Sequence, residues 1–276
     1  MKNSSLKDKL MVVNLSISQW SARKHDKTAS AEVERNHGAH DAGRFNKLLL
    51  AQESIKEISK IAGSARTFHY ENTLPWSDNG DRVLPAGNYF TYTSKLQSIK
   101  MEFEDAVYNF CNNYDSLVSD AKVRLNSLFN QGDYPHPSQI ASKFSINVSF
   151  MPVPDVEDFR VSLTDDEVMK IKSEISNELS SRVDQANSDL IQRCKDAVSH
   201  MAVTLSDPDK VFRDSLVNNI FSLVNLIPAL NFSGNANLSN ACVAMGNLCV
   251  DPEQLRTVPA FRKEIADKAK AVLNTL

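Results

Sequence analysis

The chain has 276 residues, 42% of them hydrophobic and 24% charged, which is ordinary globular usage and excludes wholesale disorder. A net charge of −3 gives no global attraction to nucleic acid, and a mere eight glycines argue against a turn-rich β-sandwich. The charge is unevenly spread: residues 1–47 hold nine Lys/Arg against five acids, and residues 150–190 hold ten acids against four bases. That polarity suits head-to-tail self-association or a basic contact surface.

Met1–Leu10 is polar, and the apolar run behind it is short and interrupted by Asn14, Ser16 and Ser18. The expectation is neither a signal peptide nor a spanning helix, hence a cytoplasmic protein without membrane association. Leu10–Trp20 is rich in β-branched residues and alternates Val13, Leu15 and Ile17 with polar neighbours, which predicts a half-buried strand. Ser21–Gly43 is polar, basic and without periodicity, and reads as a loop. Arg44–Ala62 places Phe45, Leu48, Leu49, Ile55, Ile58 and Ile61 at mostly helical spacing, with Gly63 as its stop. Thr67–Thr93 is β-prone at both ends around a segment dense in Pro, Gly, Asn and Asp. Its Asn79-Gly80 pair predicts a hairpin with a type I′ turn, over Trp76.

Ser94–Phe129 repeats apolar residues at steps of three and four from Leu96 to Leu128. This is the seam of an amphipathic helix of roughly 50 Å at about 1.5 Å per residue. A Pro-punctuated connector, Asp133–Phe159, contains a short helical piece, Ser138–Phe144, and a strand-like Ile146–Phe150. Thr164-Asp165-Asp166-Glu167 is a capping box that opens a second long helix to about Leu205. Two matched seams predict antiparallel packing of these two helices. Asp209–Leu226, Leu238–Cys249 and Pro259–Leu276 read as shorter helices, the first broken by Pro228. The fold class is therefore mainly α with a small β portion (α+β). It consists of a long antiparallel helical hairpin with an N-terminal strand, a β-hairpin and a C-terminal helical subdomain, divided as 1–93, 94–205 and 206–276.

Chemistry-bearing motifs are few. There is no Gly-x-Ser-x-Gly elbow and no Gly-rich phosphate loop, which argues against an ATPase, kinase, dehydrogenase or serine hydrolase. Cys111, Cys194, Cys242 and Cys249 lack zinc-knuckle spacing, and Cys111 and Cys194 fall on or beside apolar seams, which reads as buried free thiols in a reducing setting. His37, His40 and Asp41, with His25 or Asp26 to complete the set, have spacing that would ligate zinc from one turn, but no rigid scaffold is visible around them. Asp78-Asn79-Gly80-Asp81 superficially resembles a calcium loop but lacks the closing glutamate, Tyr89 falling there instead. A binding surface is expected from Trp76, Asp78, Arg82, Tyr89 and Tyr92 of the hairpin and from Arg23 and Lys24 of the basic segment. Alternating hairpin aromatics are otherwise cross-strand core pairs.

VNLSISQWSARK at Val13–Lys24, TLPWSDNGDRVLP at Thr73–Pro85, YPHPSQIASKFSINVSFMPVPDVEDFRV at Tyr134–Val161, FRDSLVNNI at Phe212–Ile220 and LRTVPAFRKE near the end carry a resemblance. Together they resemble a widespread family of uncharacterised phage and prophage proteins, a domain of unknown function. Members of such families are often encoded near MoxR-type AAA+ ATPases and von Willebrand-type adhesion proteins. The resemblance implies a non-enzymatic partner of an ATPase machine in the bacterial host cytoplasm, or on the virion, and carries no catalytic residues. The expected function is thus a helical scaffold or adaptor without cofactor, which self-associates as a homo-oligomer or docks on a protein partner. A single-stranded nucleic-acid-binding protein is the second reading, and a metal-dependent hydrolase using His37, His40 and Asp41 the third.

Overall fold

The structure, a computed structural model, describes residues 6–154 and 164–276. In chain order the elements are α1 (Leu6–Lys9), β1 (Leu10–Ser18), β2 (Arg23–His25), α2 (Lys27–His37), β3 (Asn46–Leu48) and α3 (Glu53–Asn72). There follow β4 (Leu74–Pro75), β5 (Arg82–Pro85), α4 (Tyr89–Leu125), α5 (Pro137–Ile140) and β6 (Ser145–Pro152). The remainder is helical: α6 (Asp165–Ser206), α7 (Ser215–Leu230), α8 (Ala236–Gly246), α9 (Pro252–Thr257) and α10 (Pro259–Leu273). The class is mainly α with a small β portion, as the composition and periodicities imply. A four-stranded sheet has the order β4-β5-β1-β6, and β2 pairs with β3 in a second sheet.

Two compact units share the chain. The first comprises residues up to Asn14, Tyr70–Tyr92 and Ser149–Leu276; the second comprises Leu15–His69 and Thr93–Val148. The strands β1 and β6 and the helices α3 and α4 each run from one unit into the other along the chain.

In the first unit β1 pairs antiparallel with β5, Leu10 opposite Pro85 and Val12 opposite Val83. Leu10, Val12 and Val83 join a core with Leu74, Trp76 and the C-terminal half of α6, from Ala186 to Leu205. Val12 and its neighbour Val13 are both buried, so this end of β1 is covered on both faces rather than half buried; Ser16 and Ser18 restore the alternation. The seam of α6 is filled from its own unit, by Leu216, Val217 and Ile220 of α7, Leu238 and Met245 of α8 and Ile265, Ala266 and Ala269 of α10. From Thr93 onward α4 belongs to the other unit, and within its own unit the C-terminal half of the α6 stripe is taken by the apolar C-terminal helices.

The end of α6 is closed by a buried arginine. Arg262 donates from Nε to the Leu205 carbonyl at 3.3 Å and from Nη2 to those of Thr204 at 3.1 Å and Lys210 at 2.8 Å. It thus satisfies the Thr204 and Leu205 carbonyls that the helix terminus leaves without partners and ties the segment after the helix to them through Lys210. At the other end the capping box forms, with Glu167 N donating to Thr164 Oγ1 at 3.4 Å and Thr164 N to Glu167 Oε2 at 3.3 Å. Pro228 lies inside α7 rather than ending it. The ring removes the N–H that would bond the Val224 carbonyl, and the Cys242 thiol donates to that carbonyl instead, at 3.3 Å.

Three further expectations change. Ser21–Gly43 is not a loop: Asp26 caps α2 by accepting from Ala29 N at 3.0 Å, and Gly38 ends it in the left-handed conformation. The helix read as Arg44–Ala62 begins as β3 and continues through Gly63 to Asn72, for nothing crowds that glycine and tertiary packing outweighs its propensity cost of about 1 kcal/mol. The hairpin is shorter than read, β4 and β5 alone, since Thr67–Asn72 and Tyr89–Thr93 are helical. Its turn is not type I′. Gly80 N donates to Ser77 O at 3.3 Å, Gly80 alone takes a positive φ of 93°, and Ser77 N donates to Asp81 O at 3.2 Å. That is a turn with a glycine bulge, which needs one left-handed residue where type I′ needs two.

Candidate docking surfaces

Two surfaces leave apolar side chains within reach of a partner. The first is the N-terminal half of α6. From Val168 through Ile171, Ile175 and Leu179 to Val183 the seam keeps its spacing, yet none of these side chains is fully buried, and burial begins at Ala186. At helical spacing Lys172 and Arg182 flank the stripe, Arg182 pairing with Glu178 at 2.8 Å. Met169 beside it is 62% exposed.

The second is a groove within the second unit, between the flank of α4 and the beginning of β6. One cavity of about 400 Å³ is lined by Phe103, Val107, Tyr108 and Cys111 of α4 and by Phe144 and Ile146. Another, of about 280 Å³, is lined by Leu96 and Gln97 with Ile146 and Val148. The two share Lys100, Ile146 and Asn147 and so form one groove. Its floor comes from an α4 stripe, Leu96, Phe103 and Val107, at helical spacing, all buried. Phe144 of its lining is held edge-on by Phe110 at 5.5 Å. Its rim is Lys100, Glu104 and the exposed Tyr108 and Asn147. Burial pushes the Cys111 thiol up, which keeps it protonated, and no histidine lines the groove. The lining is mostly apolar, with Lys100 and Glu104 as its charged groups.

The residues expected at a binding surface are largely committed elsewhere. Trp76 and Tyr92 are core side chains, 2% and 1% exposed. Arg182 lies over the Trp76 ring at 5.5 Å, and Tyr92 packs edge-on against Phe150, with burial pushing its hydroxyl well above the usual tyrosine range. Tyr89 packs edge-on against Phe90 and Phe150. Arg82 donates from Nε to Thr73 Oγ1 at 2.7 Å and from Nη2 to Thr73 O at 2.8 Å, and lies over the Tyr70 ring. Arg193 reaches the same carbonyl at 3.0 Å and pairs with Asp189 at 2.7 Å. Burial first, and the Arg193 charge second, lower the Arg82 pKa. Asp78 stands exposed in the turn. Arg23 and Lys24 are exposed on β2, in the other unit from these residues.

His37 ends α2, and His40 and Asp41 follow on exposed backbone. The proposed completing ligands are otherwise engaged, His25 beside Ser30 Oγ at 3.2 Å and Asp26 in its helix cap. Among the described residues no group of three or more His, Cys, Asp or Glu is placed to hold a metal ion. Sequence reasoning missed a different cluster. Lys47, 4% exposed, pairs with Asp133 at 2.9 Å and Asp26 at 3.1 Å and donates to the Leu128 carbonyl at 2.7 Å. A lysine inside an apolar-flanked segment was the signal, and it reads as a fastener between β3, α2 and the segment after α4.

Residues 7–206 match the family described as "Protein of unknown function (DUF3150)". The chain belongs to the DUF3150 family. The matched region runs from α1 to the last residue of α6 and therefore includes both candidate surfaces. The helices α7–α10, which fill the α6 seam, lie beyond the DUF3150 match. Comparison with curated proteins and with solved structures gives no match. No helix among the described residues is long and apolar enough to cross a membrane.

Proposed function

We propose that this DUF3150 chain is a non-enzymatic adaptor that docks on another protein, or on its own copies, through the N-terminal half of α6. The observation that carries the reading is the stripe Val168, Ile171, Ile175, Leu179 and Val183, which is only partly buried, Leu179 alone of the five packing against the core, in a helix whose seam is fully buried from Ala186 onward. A helix with such a stripe uses it as an i, i+3, i+4, i+7 anchor set in a partner's groove or against another helix. The resemblance to phage and prophage proteins encoded beside MoxR-type AAA+ ATPases supplies the partner class, an ATPase machine served by a protein that does no chemistry itself. The nucleic-acid reading keeps exposed Arg23 and Lys24 but loses the accessible faces of Trp76 and Tyr92 that base stacking requires.

The test is size-exclusion chromatography with light scattering on the full chain, alone and mixed with a purified MoxR-type ATPase. The expected result is a self-assembled or co-eluting species that Ile171→Asp with Ile175→Asp abolishes while circular dichroism stays unchanged. A clean monomer that co-elutes with nothing, or an assembly indifferent to those substitutions, defeats the proposal.

A further inference from the structure

The groove beside α4 has a second property, contributed by its strand. In the order β4-β5-β1-β6, β6 is an edge: β1 covers one side, and among the described residues no strand pairs with the other. Both cavities are lined by Ser145–Val148 residues and none by a residue of β1, so they lie off the paired side. Natural edge strands are protected from pairing by charges, prolines or bulges. Ser145-Ile146-Asn147-Val148 carries neither charge nor proline. The α4 flank runs alongside with opposite polarity, Leu96 and Gln97 near Val148 and Tyr108 and Cys111 near Ser145, leaving an apolar trough beside the unpaired backbone.

We infer that this groove takes an extended segment of a partner protein by strand addition to Ser145–Val148. An added strand satisfies the edge N–H and C=O groups and points alternate side chains the same way, about 6.8 Å apart at about 3.4 Å per residue. Two apolar residues at positions i and i+2 enter the two cavities, one over Leu96 and Val148, the other over Phe103, Val107 and Phe144. Charge fixes the chemistry further. Lys100 stands where the cavities meet, and its Nζ lies 3.8 Å from Glu104 Oε1, with side chains 38% and 60% exposed. That distance is about 1 Å longer than a charge-assisted hydrogen bond, so the ammonium keeps donors open to a carboxylate adjoining the apolar pair, which shares it with Glu104. The occupant is therefore an extended, uncapped stretch of the pattern apolar-x-apolar with an adjoining Asp or Glu. It is distinct from the helical partner of α6.

The test is selection from a random-peptide display library on the immobilised full chain, followed by fluorescence anisotropy with the synthetic peptides selected. The expected consensus alternates apolar residues beside an acid. N-methylation of alternate backbone nitrogens in one register weakens binding at least tenfold, and Lys100→Glu, on an exposed flank, weakens it at least fivefold, less so for the Asp→Asn or Glu→Gln peptide. A consensus spaced i, i+4, binding that survives N-methylation in both registers, or the lack of any binder sensitive to Lys100→Glu overturns strand addition. Self-association lost on Lys100→Glu assigns the groove to a second copy and overturns the partner segment. None of these results depends on Ile171 or Ile175, so this inference and the α6 docking reading fail separately.

Discussion

Replacing Lys47 by methionine keeps the length of the side chain and removes its charge from a site 4% exposed. In the native protein its ammonium holds Asp133, Asp26 and the Leu128 carbonyl. The hydrogen bonds and charges of the two aspartates raise the Lys47 pKa although burial alone pulls it down, so the cluster is a net stabiliser of the charged lysine. Without the ammonium, two carboxylates face each other with no cation between them. Breaking a buried pair this way costs about 3–5 kcal/mol, and the lower end applies here because the aspartates keep 15% and 12% exposure. About 3 kcal/mol, divided by a urea m-value of about 2 kcal/mol/M, moves the midpoint of the second unit down by about 1.5 M. The two tryptophans make this measurable: Trp20 sits in the second unit against Phe110 and Tyr114, and Trp76 in the first unit. In a Trp76→Phe background the Trp20 emission follows the second unit alone. Asp133→Asn in the Lys47→Met chain should recover part of the loss, because it removes one of the stranded charges. A midpoint shift below about 0.5 M would mean that water screens the cluster as it screens a surface pair, and the fastener reading would fall.

Three further outcomes follow from the same geometry. Thr164→Ala should cost about 1 kcal/mol through loss of its cap, read as faster hydrogen exchange in the first turns of α6 with the Ala186–Leu205 half unchanged; equal change in both halves would contradict it. Burial pushes the Cys194 thiol up to about 11, and the other three thiols are also raised by burial. At pH 8, Ellman's reagent should therefore leave Cys194 unlabelled in the native chain and label all four cysteines in denaturant; rapid native labelling of Cys194 would contradict its core position. Burial, the largest cause, holds Tyr114 at about 12, and its hydroxyl donates to the Pro135 carbonyl at 3.0 Å. A raised folded pKa contributes stability that is complete below the unfolded value, near 10, and is lost as pH rises toward 12. Tyr114→Phe should flatten that alkaline loss in the Trp20 signal; an unchanged slope would remove Tyr114 as its source.

Local grammar was the legible part. The Thr164–Glu167 capping box opens α6, the alternation after Leu10 gives β1, and the seam from Leu96 runs through α4. Each of these depends on residues fewer than eight apart, so periodicity and capping reveal them. The capping pair Asp26 and Gly38 was equally visible, but α2 has a weak apolar stripe, Ala29 alone being buried, and periodicity outvoted the caps. Interleaving was not legible. Nothing in the order of residues 1–93 says that Leu15–His69 leaves the unit to which Asn14 and Tyr70 belong. The aromatics misled for a related reason. Trp76 and Tyr92 were distinctive because they are rare and large, and those same properties make them core residues when a helix such as α6 brings Arg182 over the ring.

The groove follows the opposite logic, because what marks it is a lack of protection. Ser145–Val148 reads from sequence as an ordinary strand, and the stripe Leu96, Phe103 and Val107 as an ordinary seam. Neither is distinctive alone. An uncharged strand in the centre of a sheet needs no defence, since both its edges are paired; the same four residues at an edge invite a partner. Only the sheet order decides which case applies, and it places β6 last. The same argument holds for α6. Its seam has one spacing from Val168 to Leu205, but it is fully buried only from Ala186 onward, with Leu179 at the margin of the core. In both places a local pattern continues past the point where the fold stops using it.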